Sequence, residues 1–262
     1  MNEVLEQLYA RKSVRAFEDR EISKEDKRTI LEAAIMAPSA GNQQLYTILD
    51  ITDPDKRVRL SQTCDNQPFI AKARMVLIFC ADCQKWRDAF EAADCEPRRP
   101  GAGDLLLAIE DAVIAAQNAV TAAWSLGIGS CYIGDIMENC EIHRKLLGLP
   151  EYVFPAAMLV FGYPTRQQTE RKKPERAELD YIVHENNYRH MEPEELQRMF
   201  EKQTGEKEYG EWMQAFCRRK YNSDFSREMT RSARAYLKEF EEHPAGAGDC
   251  SQPRQGVSTA EK

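Results

Sequence analysis

The strongest structural signal in this chain is DLLLAIEDAVIAAQNAVTAAWSL, which occupies residues 104–126. Apolar residues recur along it at helical spacing, and they are Leu105, Ile109, Val113, Ala116, Val120 and Trp124. This spacing predicts an amphipathic helix, and the many alanines indicate a face that packs closely against its neighbours. Gly127 follows at the position where a glycine commonly ends a helix in the left-handed conformation.

Two apolar runs lie on either side of this helix in the sequence. They are MVLIFC at residues 75–80 and AAMLVF at residues 156–161, and both have the length of strands rather than of membrane spans. A continuous apolar run is typical of a central strand that is buried on both faces. A third strand is predicted at residues 45–51, after a loop at residues 38–44 that is rich in amide and turn residues.

Shorter helical patterns surround these strands. Ser23 begins one helix, with Asp26 in the position of a capping box, and Pro38 stops it. The other helical patterns cover residues 3–10, a segment after Pro54, residues 142–147, 193–202, 208–219 and 226–240. Residues 82–103 lose this periodicity and are rich in proline and glycine near their end, so we predict a mobile surface loop of the kind that often forms a lid.

The composition excludes several classes of partner. The chain has 262 residues, with 36 Lys and Arg against 43 Asp and Glu, for a formal charge of −7. A general binder of nucleic acid or of an anionic membrane would be basic, so we expect neither partner, although a local basic pocket remains possible. The first ten residues lack the pattern of a signal peptide, and we expect a cytoplasmic protein whose eight cysteines are reduced.

A basic cluster near the N-terminus is the first candidate site. Arg11, Lys12, Ser13 and Arg15 lie within five positions. Guanidinium groups, a hydroxyl and backbone N–H groups are what a phosphate monoester needs, because together they satisfy its oxygens. The alternative is a solvated basic turn whose charges pair with acidic residues a few positions further on, at residues 18–21.

Four segments, taken in order, carry a resemblance. They are RKSVR at residues 11–15, PSAGN at 38–42, GIGSCYIGD at 127–135 and the basic stretch at 171–176. Together they resemble the nitroreductase family of FMN-dependent oxidoreductases over about residues 1–190. The resemblance implies an α+β fold with a central, mostly antiparallel sheet flanked by helices. We expect residues 191–243 to form a C-terminal helical extension that packs on the core or on a partner subunit, and residues 244–262 to be a disordered tail.

The resemblance also implies which residues bind the cofactor. They are Arg11, Lys12, Ser13, Arg15, Pro38, Ser39, Ala40, Asn42, Gln67, Cys131, Tyr132, Ile133, Gly134, Arg171 and Lys173. The first four would grip the flavin phosphate, and the segment at 127–135 would bring backbone N–H groups to the flavin ring. The family's Lys-Pro-Arg pattern is replaced here by Lys173-Pro174-Glu175-Arg176. This departure leaves open whether Arg171 or Arg176 supplies the second cation at the phosphate.

The implied function is that of an NADPH- or NADH-dependent FMN oxidoreductase. Hydride would pass from NAD(P)H to the flavin and then, in a ping-pong cycle, to an electron-poor acceptor such as a nitroaromatic, a quinone or another flavin. The family's members are homodimers with FMN at the subunit interface. The alternatives are a specialised relative, such as a reductive dehalogenase or a flavin-fragmenting enzyme, and a non-catalytic FMN sensor or storage protein.

No residue of the chain is predicted to be catalytic by itself, because a bound flavin carries the hydride chemistry. The four histidines lie in no nucleophile motif, and we interpret them as surface or satisfied core residues. Cys80 and Cys83 have CxxC spacing without a second pair, so we predict a structural role and no metal site. Cys131 is interpreted as a packing residue. The aromatic residues predicted to line an acceptor pocket are Trp124, Tyr132, Phe69, Trp86 and Phe90.

Overall fold

A computed structural model describes residues 1–241 of the chain. Its centre is a four-stranded sheet of β1 (Tyr46–Asp50), β2 (Met75–Asp82), β3 (Gly129–Ile133) and β4 (Val153–Gly162). The strands lie in the order β1-β2-β4-β3, and every neighbouring pair is antiparallel. All residues of β2 and β4 are buried, as their unbroken apolar sequences predict. The expected α+β architecture with an antiparallel sheet is confirmed.

Eleven α-helices pack around this sheet within the described residues. They are α1 (Glu3–Ala10), α2 (Lys24–Ile35), α3 (Pro54–Thr63), α4 (Pro68–Lys72), α5 (Gln84–Ala92), α6 (Ala102–Ser125), α7 (Cys140–Leu147), α8 (Arg166–Glu170), α9 (Pro193–Thr204), α10 (Tyr209–Lys220) and α11 (Asp224–Leu237). The Ser23 hydroxyl accepts a hydrogen bond from the Asp26 amide at 2.9 Å, which is the predicted cap of α2. Gly127 follows α6 with φ +75°, as expected for a glycine that ends a helix.

Helix α6 buries Leu105, Ala116 and Val120 of its predicted face and half-buries Ile109 and Trp124. Its buried residues also include five further alanines, at positions 108, 112, 115, 119 and 123, which let the helix approach the sheet and α2 closely. Val113, expected on the buried face, is 38% exposed. Leu106, Leu107 and Ile114 are also exposed. The alanines thus allow a close approach to the sheet, while several larger apolar side chains at other positions of the helix remain exposed.

Helix α6 is also long and apolar enough to cross a membrane when only length and composition are considered. In this fold it contacts all four strands and α2, and its alanine face is buried against them. Such packing is that of a core helix, which passes the same test of length and composition.

The prediction of a mobile loop over residues 82–103 is wrong for its first half, where α5 forms. Side chains one turn apart stabilise this helix, since Arg87 pairs with Glu91 at 2.8 Å and Gln84 donates to Asp88 at 2.6 Å. None of its residues is fully buried. The helix therefore lacks the deep apolar stripe by which periodicity is recognised.

The C-terminal helices differ in their packing. Helix α11 contacts α7, and Tyr236 is completely buried, edge-on to Phe154 with ring centroids 5.0 Å apart. Helices α9 and α10 contact each other, and Trp212 stacks on Phe216 at 5.0 Å. The predicted disordered tail at residues 244–262 lies outside the described residues.

Candidate active site

The segment Arg11 to Arg15 runs beside β3. The Val14 amide donates to the Ser130 carbonyl at 2.9 Å, and Ser13 forms a parallel bridge with Ser130. Gly129 makes this approach possible, because a Cβ at that position would lie 2.6 Å from a methyl carbon of Val14. The glycine-rich segment is thus the surface on which the basic segment docks.

The second basic stretch reaches the same place. Arg171 donates from Nη2 to the Ser13 carbonyl at 2.7 Å. Lys12 donates to the Thr169 carbonyl at 2.8 Å and also to that of Arg171, while Lys173 donates to the Tyr9 carbonyl at 2.7 Å. The two basic segments, more than 150 positions apart in sequence, therefore form one cluster. Both lysines are engaged with backbone carbonyls at the sides of this cluster.

The cluster carries positive charge that the described chain does not neutralise. Arg11 Nε is buried without a hydrogen-bond partner, and neither Arg11 nor Arg15 forms an ion pair within residues 1–241. Burial, together with the nearby charges of Arg176 and Arg11, lowers the pKa of Lys173. An anion placed among these cations would relieve their mutual repulsion.

The alternative of a self-neutralised basic turn does not describe this cluster. Asp19 and Glu21, which could have balanced the arginines, instead bind Arg74, with Glu21 at 2.9 Å from its Nη1. Arg176 donates to the Pro174 carbonyl at 3.1 Å and lies close enough to Lys173 to affect its pKa. Arg171 and Arg176 therefore both belong to the neighbourhood of the cluster.

The predicted residues on β3 and just beyond it line one side of the cluster. Cys131 and Ile133 are buried, and Tyr132 is half-buried. Burial raises the pKa of the Cys131 thiol, although Arg15, Ser13 and Arg11 oppose this effect. Cys131 is therefore a neutral packing residue at neutral pH. Gly134 begins the short 3-10 helix Gly134–Met137 that follows the strand.

The 38–44 loop, which contains the predicted residues Pro38, Ser39, Ala40 and Asn42, is held by a carboxylate that the sequence reasoning missed. Asp111 on α6 is 2% exposed and accepts hydrogen bonds from the amides of Ala40, at 2.9 Å, and Leu45, at 3.0 Å. The signal that could have found it is a lone aspartate on the alanine-rich face of α6. Hydrogen bonds tie this loop to α6 and α5, and none within residues 1–241 ties it to the cluster around Arg11.

In residues 1–241, Gln67 forms no hydrogen bond with the basic cluster or with the 38–44 loop. It precedes α4, and its side-chain amide donates to the Cys64 carbonyl at 3.0 Å. The Ser61 hydroxyl donates to the Gln67 carbonyl at 2.9 Å. The structure thus gives Gln67 a role in closing the turn between α3 and α4.

The comparisons with known proteins bear directly on this arrangement. The nitroreductase family profile matches residues 8–163, which span the basic segment, the 38–44 loop and β3. The chain belongs to the nitroreductase family. It is an enzyme of the flavin reductase and nitroreductase type. Enzymes of this family use a flavin and NAD(P)H.

Individual relatives agree with this membership. The chain is 32% identical over 230 residues to an FMN reductase [NAD(P)H] of Bacillus subtilis, covering 83% of this chain and 90% of the relative. It is 33% identical over 207 residues to an oxygen-insensitive NADPH nitroreductase of Salmonella typhimurium, covering 79% and 82%. The solved structure of NfrA2 from B. megaterium superposes with a TM-score of 0.77 at 31% identity, covering 92% of this chain and 98% of that one.

The nitroreductase-family cofactor suits the residues present here. A flavin mononucleotide ends in a phosphate, and the cluster offers the buried Arg11 Nε, two guanidinium groups without carboxylate partners, and the Ser13 hydroxyl. Although the chain as a whole is acidic, this unpaired positive charge lies where hydrogen bonds join the segment at residues 11–15 to residues 169–171. Arg11, Ser13 and Arg15 are therefore the residues that would hold the phosphate.

A cavity of about 280 Å³ lies between α5, the start of α6 and the 38–44 loop. Trp86 and Phe90, two of the aromatic residues predicted for an acceptor pocket, line it with ring centroids 5.5 Å apart. Trp86 donates from Nε1 to the Gln43 carbonyl at 2.7 Å, so one wall of the cavity is joined to the loop. Cys83 also lines it, and burial raises the pKa of this thiol to about 12.

The remaining nucleophilic and metal-binding candidates occupy structural positions. Cys80 and Cys83 are both buried and unpaired. His143 is completely buried, with Nδ1 2.9 Å from the Ile136 carbonyl and Nε2 2.8 Å from the Thr63 hydroxyl. In the part of the chain that the structure describes, no group of three or more His, Cys, Asp or Glu side chains is arranged to hold a metal ion.

Proposed function

We propose that this chain binds FMN and transfers reducing equivalents from NADPH or NADH to a small electron-poor acceptor. The observation that carries the proposal is the basic cluster, in which Arg11 and Arg15 remain without carboxylate partners while Arg171 and Lys12 join the two basic segments. A phosphate is the ligand that such a set of guanidinium and hydroxyl groups favours.

When bound, FMN would supply the redox chemistry, carrying hydride between NADPH or NADH and the acceptor in a ping-pong cycle. The chain's own residues have the tasks of binding and positioning. Arg11, Ser13 and Arg15 hold the phosphate, and Lys12 and Lys173 hold the backbone around it. The residues from Cys131 to Gly134 and the 38–44 loop, with Gln67, form the remainder of the proposed flavin site.

The acceptor class follows from the relatives and from the cavity beside α5. The Salmonella typhimurium relative is named a nitroreductase, and the Bacillus subtilis relative is named an FMN reductase. Trp86 and Phe90 give the cavity two aromatic walls, which suit a planar acceptor such as a nitroaromatic, a quinone or another flavin. We propose this cavity as the acceptor pocket.

The active form is proposed to be a homodimer. Exposed apolar side chains on α6 and α1, two helices that contact each other, form a face that a monomer would leave in water, and they are Leu106, Leu107, Val113, Ile114, Val4, Leu5 and Leu8. Within one chain, no described hydrogen bond joins the 38–44 loop to the phosphate cluster. A second copy would bring a loop of its own to this site. The seven unpaired cysteines of residues 1–241 support a reducing, cytoplasmic location.

The decisive test is anaerobic reduction of the purified protein reconstituted with FMN. We expect the visible flavin band to bleach on addition of NADPH or NADH and to return when a nitroaromatic or quinone is added. A flavin that stays oxidised with both donors would overturn the enzymatic proposal and favour a sensor or storage role. A protein that does not retain FMN at all would overturn the cofactor assignment.

A charge-matched pair of variants tests the phosphate residues. Arg11→Ala should weaken FMN binding by about 1.5–3 kcal/mol, because it removes a charge-assisted contact. Arg28→Ala is the control, since Arg28 is exposed and, within residues 1–241, pairs only with Glu32 one turn away, at 2.6 Å. Both variants lose one positive charge, so equal losses of FMN affinity in a dialysis or fluorescence titration would contradict a specific role for Arg11.

A further inference from the structure

We infer that Asp111 is the positioning residue of the flavin site: a buried carboxylate on α6 that holds the 38–44 loop in its binding shape. This inference rests on the proposed function, because it takes the loop to be part of the flavin site. Asp111 itself lies behind the loop and would act through the backbone that it holds.

Asp111 contacts one amide within the loop and one amide directly after it. One carboxylate oxygen accepts from the Ala40 amide at 2.9 Å and the other from the Leu45 amide at 3.0 Å. No cation pairs with Asp111 in the described chain, although it is 2% exposed. A buried carboxylate without a cation is costly unless hydrogen bonds satisfy it. The Ala40 and Leu45 amides therefore stabilise the buried carboxylate of Asp111. The carboxylate in turn fixes the distance between these two amides.

The loop needs such a support because its backbone is unusual. Gly41, Asn42 and Gln44 all have left-handed φ values, of +57°, +56° and +51°. Two of the three carry side chains, for which this conformation is unfavourable and persists only where the surroundings enforce it. Besides Asp111, the enforcing contacts are the hydrogen bond from Gln44 to the Ser39 hydroxyl at 3.0 Å and the one from Trp86 to the Gln43 carbonyl at 2.7 Å.

The consequence is a loop whose shape is set before any ligand arrives. The Asn42 side chain is exposed and forms no hydrogen bond within residues 1–241, so it remains available to a ligand. A loop that is already ordered costs less conformational entropy on binding. Loss of the Asp111 carboxylate should therefore reduce flavin affinity even though Asp111 touches no part of the proposed phosphate cluster.

Helix α6 offers a matched control. Asn118 lies two turns from Asp111 on the same helix, is half-buried, and donates from Nδ2 to the Ala33 carbonyl at 3.2 Å. It ties α6 to the end of α2 and has no hydrogen bond to the 38–44 loop. Asn118→Ala thus removes a tertiary hydrogen bond from α6 and leaves the loop's supports intact.

The experiment measures two quantities for the parent, Asp111→Asn and Asn118→Ala. They are the FMN dissociation constant, from quenching of FMN fluorescence by the apoprotein, and the Tm of the apoprotein, from circular dichroism. Asp111→Asn keeps the shape of the side chain but replaces one carboxylate oxygen by an NH2 group. This group cannot accept a hydrogen bond, so either the Ala40 or the Leu45 amide loses its partner. We expect it to bind FMN about tenfold more weakly, as one lost charge-assisted hydrogen bond implies. Asn118→Ala should bind FMN as the parent does, with a comparable loss of Tm.

Equal affinity of Asp111→Asn and the parent would overturn the inference, as would the same loss in both variants, which would point to general destabilisation. A parent that binds no FMN would refute the proposed function and this inference with it. If Asp111→Asn does not fold, Asp111→Glu keeps the carboxylate but moves it by one methylene group relative to the Ala40 and Leu45 amides; weaker FMN binding than the parent is expected, and unchanged binding would overturn the inference. Hydrogen exchange of the Ala40 and Leu45 amides, slow in the parent apoprotein and faster in Asp111→Asn, tests the contact without flavin.

Discussion

Glu138 makes the stability of this protein depend on pH near neutrality, and Glu138→Gln should remove that dependence. The side chain is 5% exposed, and its Oε1 is buried without a hydrogen-bond partner in the described residues. Burial, reinforced by the negative charges of Asp135, Glu228 and Asp65, raises the pKa of Glu138 to about 7. The folded protein thus favours the protonated carboxyl group, and glutamine has nearly the same shape without the charge.

The size of the effect follows from the difference between about 7 and the ordinary value of 4.5. At 1.36 kcal/mol for each pH unit, this difference corresponds to roughly 3 kcal/mol. Because the folded-state pKa is the higher one, the stabilisation from protonated Glu138 is complete below about pH 4.5 and disappears as the pH rises through about 7. Ionisation above that pH places a negative charge near the carboxylates of Asp135, Glu228 and Asp65.

Urea unfolding of the parent and of Glu138→Gln at a series of pH values measures this effect. We expect similar free energies of unfolding near about pH 4.5 and an advantage for the variant that grows to roughly 3 kcal/mol near about pH 8. Asp88→Asn is a suitable control, because Asp88 is exposed on α5 and accepts a hydrogen bond from Gln84 at 2.6 Å. A difference between Glu138→Gln and the parent that stays constant with pH, or a variant that is less stable near pH 8, would refute this reasoning.

Three other outcomes are expected. The pKa of Lys173 is lowered, so Lys173 should lose its charge, and FMN affinity should fall, at a lower pH than for a lysine of ordinary pKa. In FMN titrations at alkaline pH, Lys173→Arg should therefore keep its affinity where the parent loses it. Gly129→Ala should destabilise the protein by about 1–3 kcal/mol in thermal unfolding, because the added Cβ would clash with Val14. Gly103→Ala is the control: it lies in an open position on α6 and should be neutral or stabilising by up to about 1 kcal/mol. Val113→Glu should dissociate the proposed dimer in analytical ultracentrifugation, and a parent that is already monomeric would contradict the dimer.

Local patterns in the sequence were enough to predict the central elements. The unbroken apolar run at residues 75–80 lies within β2, and the helical spacing ending at Gly127 corresponds to α6. These predictions succeeded because alternation, helical spacing and end signals are properties of neighbouring residues. The ordered motifs were likewise enough to indicate the nitroreductase family, since they are short stretches that can be compared residue by residue.

Only the tertiary structure decided how distant residues combine. The contact of Arg171 with the Ser13 carbonyl and the support of the 38–44 loop by Asp111 join positions that no local pattern relates. The extent of the buried face of α6 was also decided in this way, because six buried alanines allow a close approach to the sheet and to α2. The sequence by itself determined the central strands, the long helix α6 and the family of this protein, but not α5. Packing determined which charges remained unpaired, because pairing depends on the neighbours that the fold supplies.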